Sequence, residues 1–284
     1  MIAAVIGIIG AHPSFDMPAF TGFTDTIAPT GTSLGTLFPA LFITIACGAV
    51  SGFHATQSPL MARCLKTERE GLPVFGGAMI TEGIIAFIWA AAALTFYGSP
   101  EALGGATANG KAPALAIQTI SESWMGSVGS ILVMIGVVIL PISTGDGALR
   151  VTRLMIADSF KLSQEQLSRR LMIAIPLFAA AIAVSSMDYA VIWQYFGWAN
   201  QLLAAATLWA VSIYLRSKKR CYWTAAAPAA FLSLVVFQYL FSSPEMCGFS
   251  EEASLIASTL LTAVIGVLCL FRGSGLEKAE EPSL

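Results

Sequence analysis

The stretch Ser127–Leu149 reads SVGSILVMIGVVILPISTGDGAL and carries no charged residue before Asp146. A helix needs about 20 apolar residues to cross a bilayer, so this stretch alone predicts a transmembrane helix. Similar runs recur along the chain, and most are apolar around their full circumference, which is typical of a helix bundle in lipid. The runs predicted to span are Leu37–Phe53, Val74–Tyr97, Ser127–Leu149, Leu171–Met187, Tyr189–Leu215, Tyr222–Phe241 and Ala253–Phe271.

The composition excludes an ordinary soluble protein. Of the 284 residues, 56% are hydrophobic and 11% are charged, whereas a soluble domain carries roughly 25% charged residues. We therefore predict an all-α integral membrane protein with seven or eight transmembrane helices, forming one domain over residues 1–284. Residues 1–36 are predicted as a partial first helix and an outside loop, Gly98–Gly126 as a second outside loop, and residues 272–284 as a tail.

The basic residues predict the orientation. In a strictly alternating topology, all but one of the 15 Lys and Arg residues fall on the same side of the membrane, the exception being Lys111. The positive-inside rule makes that side cytoplasmic. We expect a multi-pass protein in contact with the lipid bilayer and with a cytoplasmic C-terminus. The net charge of −2 and the absence of a basic stripe give no reason to expect a nucleic-acid partner.

The segment CGAVSGFH, residues 47–54, contains two glycines four positions apart beside a serine. One interpretation is a broken helix whose freed backbone groups line a site, since such breaks in a membrane are tolerated only where protein or water shelters them. The other is a packing face that lets two helices approach closely. Both stay open, and the candidate pathway residues are Gly48, Ser51, Gly52 and His54.

Two acidic residues lie within predicted spans. Glu82 is about two turns into Val74–Tyr97, where an ionised carboxylate is disfavoured and an acid is often functional. It is a candidate proton carrier, and the alternative is a protonated carboxyl that packs against a neighbouring helix. Asp146 is a candidate pathway residue near the end of its span, but Arg150 stands at the spacing of an ordinary helical ion pair.

Asn200 and Gln201 are adjacent amides in the middle third of a predicted span, so both need partners. They either contact a polar substrate in a transport path or join helices by hydrogen bonds. Elsewhere the chain lacks phosphate-loop, zinc-protease and nucleophile-elbow motifs. Its 2 histidines are far apart in the sequence and belong to no His/Cys cluster. We therefore predict no enzymatic activity, no cofactor and no metal.

Four stretches carry a family resemblance. They are FPALFITIACGAVSGFH at 38–54, GGAMITE at 76–82, DGALR at 146–150 with Arg153 and Asp158 beyond it, and FGWANQLLAA at 196–205. Together they resemble the carbon starvation protein CstA family. The resemblance runs from about Pro13 to Phe271 and corresponds to the C-terminal part of the family protein.

The resemblance implies a secondary transporter of the bacterial inner membrane that belongs to the amino acid–polyamine–organocation superfamily, whose fold is two inverted repeats with broken helices. It implies uptake of short peptides or small carboxylates such as pyruvate by carbon-starved bacteria, and Glu82 suggests coupling to H+. Because only part of the family protein is matched, a second chain supplying the N-terminal helices is an expected partner. A fragment and a split gene product stay open. The alternative function is a non-transporting membrane subunit or sensor that packs against such a partner.

Overall fold

The computed structural model describes residues 37–45, 50–98, 100–107, 113–187 and 189–279, and within them the chain is helical with no strand. A 3₁₀ turn at Glu68–Glu70 and a π-helical turn at Leu72–Gly76 precede the third α-helix. The α-helices are α1 (Leu37–Thr44), α2 (Gly52–Ala62), α3 (Gly77–Tyr97), α4 (Pro100–Thr107), α5 (Pro113–Ser159), α6 (Leu167–Ser185), α7 (Tyr189–Ser217), α8 (Trp223–Ser242) and α9 (Glu251–Ala279).

Several of these helices are long and apolar enough to cross a membrane, which confirms the prediction of an all-helical, multi-pass membrane protein. Each covers most or all of one of the runs predicted from the sequence, and the count of seven or eight stays a prediction. Five such helices lie within the described residues, namely Glu68–Tyr97, Leu115–Ser159, Leu167–Ser185, Trp223–Ser242 and Glu251–Leu270.

The two other predicted runs behave differently. Tyr189–Leu215 is helical, as α7, but it is not among the five, because Asn200 and Gln201 lower the hydropathy of its central turns. Leu37–Phe53 is not one continuous helix. The structure divides it into α1 and the start of α2, with Val50 and Ser51 outside both helices. Residues 46–49, which include the candidate Gly48, lie outside the described residues.

The described residues form two compact units, and the first contains those between positions 56 and 193. Within it α3 packs on α4 and α5, and α5 packs on α6. Helix α5 changes direction at Gly126, whose φ of 66° and ψ of −170° lie in a region open to glycine. The prediction of a loop over Gly98–Gly126 is therefore wrong for most of its length, because α4 and the first turns of α5 occupy it.

Apolar side chains cover much of the outer surface of this first unit. Along α5 the exposed fractions of Val128, Ile131 and Leu132 are 69%, 60% and 65%. In α3, α5 and α6, at most 11% of the most apolar window is buried. An apolar surface of this extent is incompatible with water and suits lipid or a further helix.

The second unit contains residues 36–55 and 194–284, and α8 is its central helix. Half of the apolar window of α8 is buried, and both α1 and α9 pack against it. Polar pairs join the helices inside this core. The Trp209 indole donates to the Ser233 hydroxyl at 3.0 Å, and the Ser258 hydroxyl donates to Oε1 of Gln238 at 3.0 Å.

Candidate polar site at an interrupted helix

The interruption between α1 and α2 lies wholly in the second unit. The end of α1 and the start of α2 each present backbone groups without partners in their own helix. Ser51 stands immediately before α2 and is buried. Its hydroxyl accepts from the backbone N–H of Phe53 at 3.3 Å, and its carbonyl accepts from the N–H of His54 at 3.3 Å. Serine is a favoured residue at this position because its oxygen satisfies a first-turn N–H.

Asn200 on α7 reinforces the start of α2. Its Oδ1 accepts from the backbone N–H of Phe53 at 3.0 Å and from the Ser51 hydroxyl at 3.3 Å. The Asn200 side chain is buried, so these hydrogen bonds form away from water. A donor left without a partner there would cost free energy of folding. A side chain of one helix thus caps the first turn of another.

Gln201, the next residue of α7, binds the other side of the interruption. Its Nε2 donates to the carbonyl oxygen of Phe42 in α1 at 2.6 Å. The residue is 2% exposed. Its Oε1 is buried and has no hydrogen-bond partner among the described residues. Asn200 and Gln201 therefore hold both ends of the interruption, and one acceptor is left over.

Gly52 allows α2 to begin directly against the backbone of α7. A Cβ atom at this position would stand 2.2 Å from the carbonyl oxygen of Asn200 and 2.8 Å from the backbone nitrogen of Ala204. No side chain fits there without moving α7. At Gly52 the interruption and a close approach of two helices are therefore the same feature.

The neighbouring residues of α7 fix this helix in place. The Trp198 indole donates to the carbonyl oxygen of Val236 in α8 at 3.1 Å. At Gly197 a Cβ atom would stand 3.2 Å from Cγ2 of Ile43 in α1. Helix α7 is thus anchored to α8 and pressed against α1 within two turns of the interruption.

The structure brings four of the predicted residues together, namely Ser51, Gly52, Asn200 and Gln201. His54 follows in the first turn of α2, half-buried and with a buried Nδ1 atom. The two acids belong to the first unit. Glu82 is half-buried on α3. Asp146 is exposed and forms the ion pair with Arg150 at 2.8 Å, as its alternative interpretation predicted.

Sequence reasoning missed the partners of the two amides. They are the carbonyl of Phe42 and the N–H of Phe53, both backbone groups. Every residue carries such groups, so no side-chain pattern could single these out. The available signal was the FPALFITIACGAVSGFH stretch itself, in which an apolar helix runs into two glycines and a serine.

Two overlapping parts of the chain, residues 1–127 and 101–238, match the family model described as "Carbon starvation protein CstA". The chain is 27% identical to "Peptide transporter CstA" of Escherichia coli (strain K12) over 328 residues, covering 89% of this chain and 46% of that protein. It is also 27% identical to "Peptide transporter CstA" of Bacillus subtilis (strain 168) over 321 residues, covering 95% of this chain and 53% of that protein.

A shorter segment of 89 residues is 40% identical to "Pyruvate/proton symporter BtsT" of Escherichia coli (strain K12), covering 31% of this chain and 12% of that protein. The chain thus spans about half the length of the two peptide transporters that it matches along most of its own length. No solved structure matches it significantly.

Proposed function

Because the chain belongs to the carbon starvation protein CstA family, we propose that it is part of a secondary active transporter for short peptides or small carboxylates such as pyruvate. Uptake is coupled to protons. The observation that supports this function best is the interrupted helix α1–α2, whose two ends are held by adjacent amides of α7. The names of two relatives, a peptide transporter and a pyruvate/proton symporter, suggest the substrate classes.

An interrupted helix suits a transport site for an energetic reason. An unsatisfied backbone group in hydrocarbon costs several kcal/mol, so non-helical backbone persists only beside protein or water. At the interruption the start of α2 carries partial positive charge and the end of α1 carries partial negative charge. A small ion or zwitterion finds complementary partial charges there, as at the broken helices of many transporters. Ser51, His54, Asn200 and Gln201 are the polar side chains of this part of the pathway.

Glu82 carries the proton in this proposal. It is half-buried on α3, inside the apolar stretch Glu68–Tyr97. Intramembrane carboxyls are costly, and in transporters they commonly serve as proton relays. Asp146 is the second candidate, although its ion pair with Arg150 already accounts for its charge.

The orientation is proposed from charge. The basic clusters face the cytoplasm under the positive-inside rule. One of them consists of Arg216, Lys218, Lys219 and Arg220. The protein then lies in the bacterial inner membrane with a cytoplasmic C-terminus. The chain spans about half the length of its two peptide-transporter relatives, and the apolar surfaces of α3, α5 and α6 leave room for further helices, supplied by a second chain or by more of the same protein.

A non-transporting subunit or sensor is the alternative. One observation favours it: the bonds from Asn200 to Phe53 and from Gln201 to Phe42 already serve to hold α7 against α1 and α2. If those bonds only join helices, the interruption needs no substrate. The chain would then contribute structure to an assembly whose pathway is built by its partner.

Reconstitution distinguishes the two. The chain is placed in liposomes alone and with candidate partner chains from the same genome, and uptake of labelled dialanine and labelled pyruvate is followed under an inside-alkaline pH gradient. The transporter proposal predicts accumulation of at least one substrate, abolished by a protonophore. Absence of uptake in every assembly that keeps its helical circular-dichroism spectrum would favour the subunit.

A further inference from the structure

One polar atom at the interrupted helix is not used by the fold. The Phe42 carbonyl can only accept a hydrogen bond, so the amide atom of Gln201 that faces it must be the nitrogen. This contact fixes the orientation of the amide group. Oε1 therefore points away from Phe42 as a pure acceptor, buried and without a partner among the described residues.

The other buried amides that the structure describes in the second unit do not share this feature. Asn200 Oδ1 accepts two hydrogen bonds, from Phe53 and Ser51. Gln238 Oε1 accepts from the Ser258 hydroxyl at 3.0 Å. Native proteins leave few buried polar atoms unpaired, and each such atom calls for an explanation. Gln201 has the unpaired oxygen at the point where the helix is broken.

We infer that Oε1 of Gln201 accepts a hydrogen bond from an N–H group of the substrate, so that this site selects short peptides over keto acids. The inference rests on the proposed transport function and specifies its substrate class. Peptides carry N–H donors in the terminal ammonium and in the peptide bond. Pyruvate carries only acceptor oxygens, which would oppose Oε1 without a proton between them. The partial negative charge at the end of α1 also favours a cationic donor such as an ammonium group.

The first experiment compares Gln201→Leu with Gln238→Leu in the reconstituted assembly. Both replace a buried glutamine of the same unit, but Gln238 uses its oxygen within the fold. We expect Gln201→Leu to raise the half-saturation concentration for dialanine at least tenfold and to leave that for pyruvate within twofold. Gln238→Leu should leave both within twofold. An equal change for both substrates in Gln201→Leu would overturn the inference, since loss of the bond to Phe42 alone affects them alike.

A second measurement needs no variant. The parent assembly is offered dialanine and an analogue that is trimethylated at the terminal nitrogen and methylated at the peptide nitrogen, which therefore has no N–H donor. The inference predicts that dialanine competes for uptake at least tenfold better than the analogue, and equal competition would overturn it. If the assembly takes up pyruvate and dialanine does not compete, the transport function stands and the inference fails. If it takes up neither, both fail.

Discussion

Oδ1 of Asn200 lies 3.0 Å from the backbone nitrogen of Phe53, a residue 147 positions earlier in the chain, and so caps the first turn of α2 from α7. The next residue of α7, Gln201, donates to Phe42 on the opposite side of the interruption. Consecutive helical residues point about 100° apart, which lets two neighbouring side chains reach two different helix ends. One short segment of α7 thus binds both ends of the interruption.

The cap makes Asn200 a residue whose loss should lower stability. Asn200→Leu leaves the N–H of Phe53 and the Ser51 hydroxyl with one buried acceptor fewer, which costs about 1–3 kcal/mol. Thermal unfolding in detergent, followed by circular dichroism, should show the lower midpoint. Asn200→Asp keeps an acceptor beside a helix N-terminus, where negative charge is favourable, and should recover part of the loss.

Thr207→Val serves as the matched control on the same helix. The Thr207 hydroxyl bonds only to the carbonyl of Leu203 in its own helix, at 2.8 Å. Its removal should change the free energy of unfolding by less than about 0.5 kcal/mol, the usual range for such positions. A midpoint for Asn200→Leu equal to that of Thr207→Val would show that the cap does not stabilise the fold.

Gly52→Ala should disrupt the contact between α2 and α7. The added methyl group would stand 2.2 Å from the Asn200 carbonyl oxygen, and overpacking of this kind costs about 1–3 kcal/mol or more. The control is Gly136→Ala in α5, where a Cβ meets nothing within 4 Å. Alanine is favoured over glycine inside a helix by roughly 0.5–1 kcal/mol, so the control should be neutral or slightly stabilising. Equal yields of folded protein from the two variants would contradict the close approach.

The apolar helices could be predicted from the sequence because hydropathy is a property of each segment by itself. Ser127–Leu149 needs no knowledge of its neighbours to be assigned to lipid, and the structure places a helix there. The prediction of a loop at Gly98–Gly126 was wrong because it gave the Gly and Pro content of the segment more weight than its helix-forming residues. Pro100 and Pro113 instead stand at helix starts, where proline is favoured because no N–H is needed.

Only one side of the candidate site, the two amides of α7, could be predicted from the sequence. Asn200 and Gln201 can be recognised from the sequence because they are polar residues in the middle of an apolar span. Their partners are backbone atoms of residues 147 and 159 positions away in the chain. Such pairings depend on which helices meet, which no local pattern specifies. The same amides lowered the hydropathy of α7. The residues that bind both ends of the interruption are thus also the ones that keep α7 out of the set of apolar spans.

The chain's own exposed cysteines test the proposed orientation. Cys64 and Cys221 lie in segments predicted to be cytoplasmic, Cys247 lies in a segment predicted to be outside, and all three are exposed. In single-cysteine variants in intact cells, a membrane-impermeant maleimide should label Cys247 alone. Permeabilised cells are the control, and there all three should react. Labelling of Cys221 without permeabilisation would contradict the proposed orientation and would indicate the opposite one.

Glu82 gives the sharpest test of proton coupling. Glu82→Gln keeps the size and hydrogen-bonding capacity of the protonated acid but cannot take up or release a proton. If Glu82 carries the proton between the two sides of the membrane, the variant should still exchange labelled for unlabelled substrate. It should lose accumulation driven by a pH gradient by at least tenfold. Glu122→Gln is the matched control, because Glu122 is exposed on α5 before the break at Gly126, and it should accumulate substrate as the parent does.

The packing interpretation of Glu82 makes the opposite prediction. A protonated Glu and a Gln are similar hydrogen-bond donors, so a purely structural carboxyl would tolerate the change in both assays. Uptake is measured in liposomes containing the full assembly at two imposed pH gradients, with exchange measured at none. If Glu82→Gln accumulates as much substrate under a pH gradient as the parent protein does, Glu82 is not the proton carrier. Asp146 and His54 would then be the next candidates. Loss of exchange together with accumulation would instead place Glu82 in substrate binding or in the fold, because proton transfer is not needed when substrate merely exchanges across the membrane.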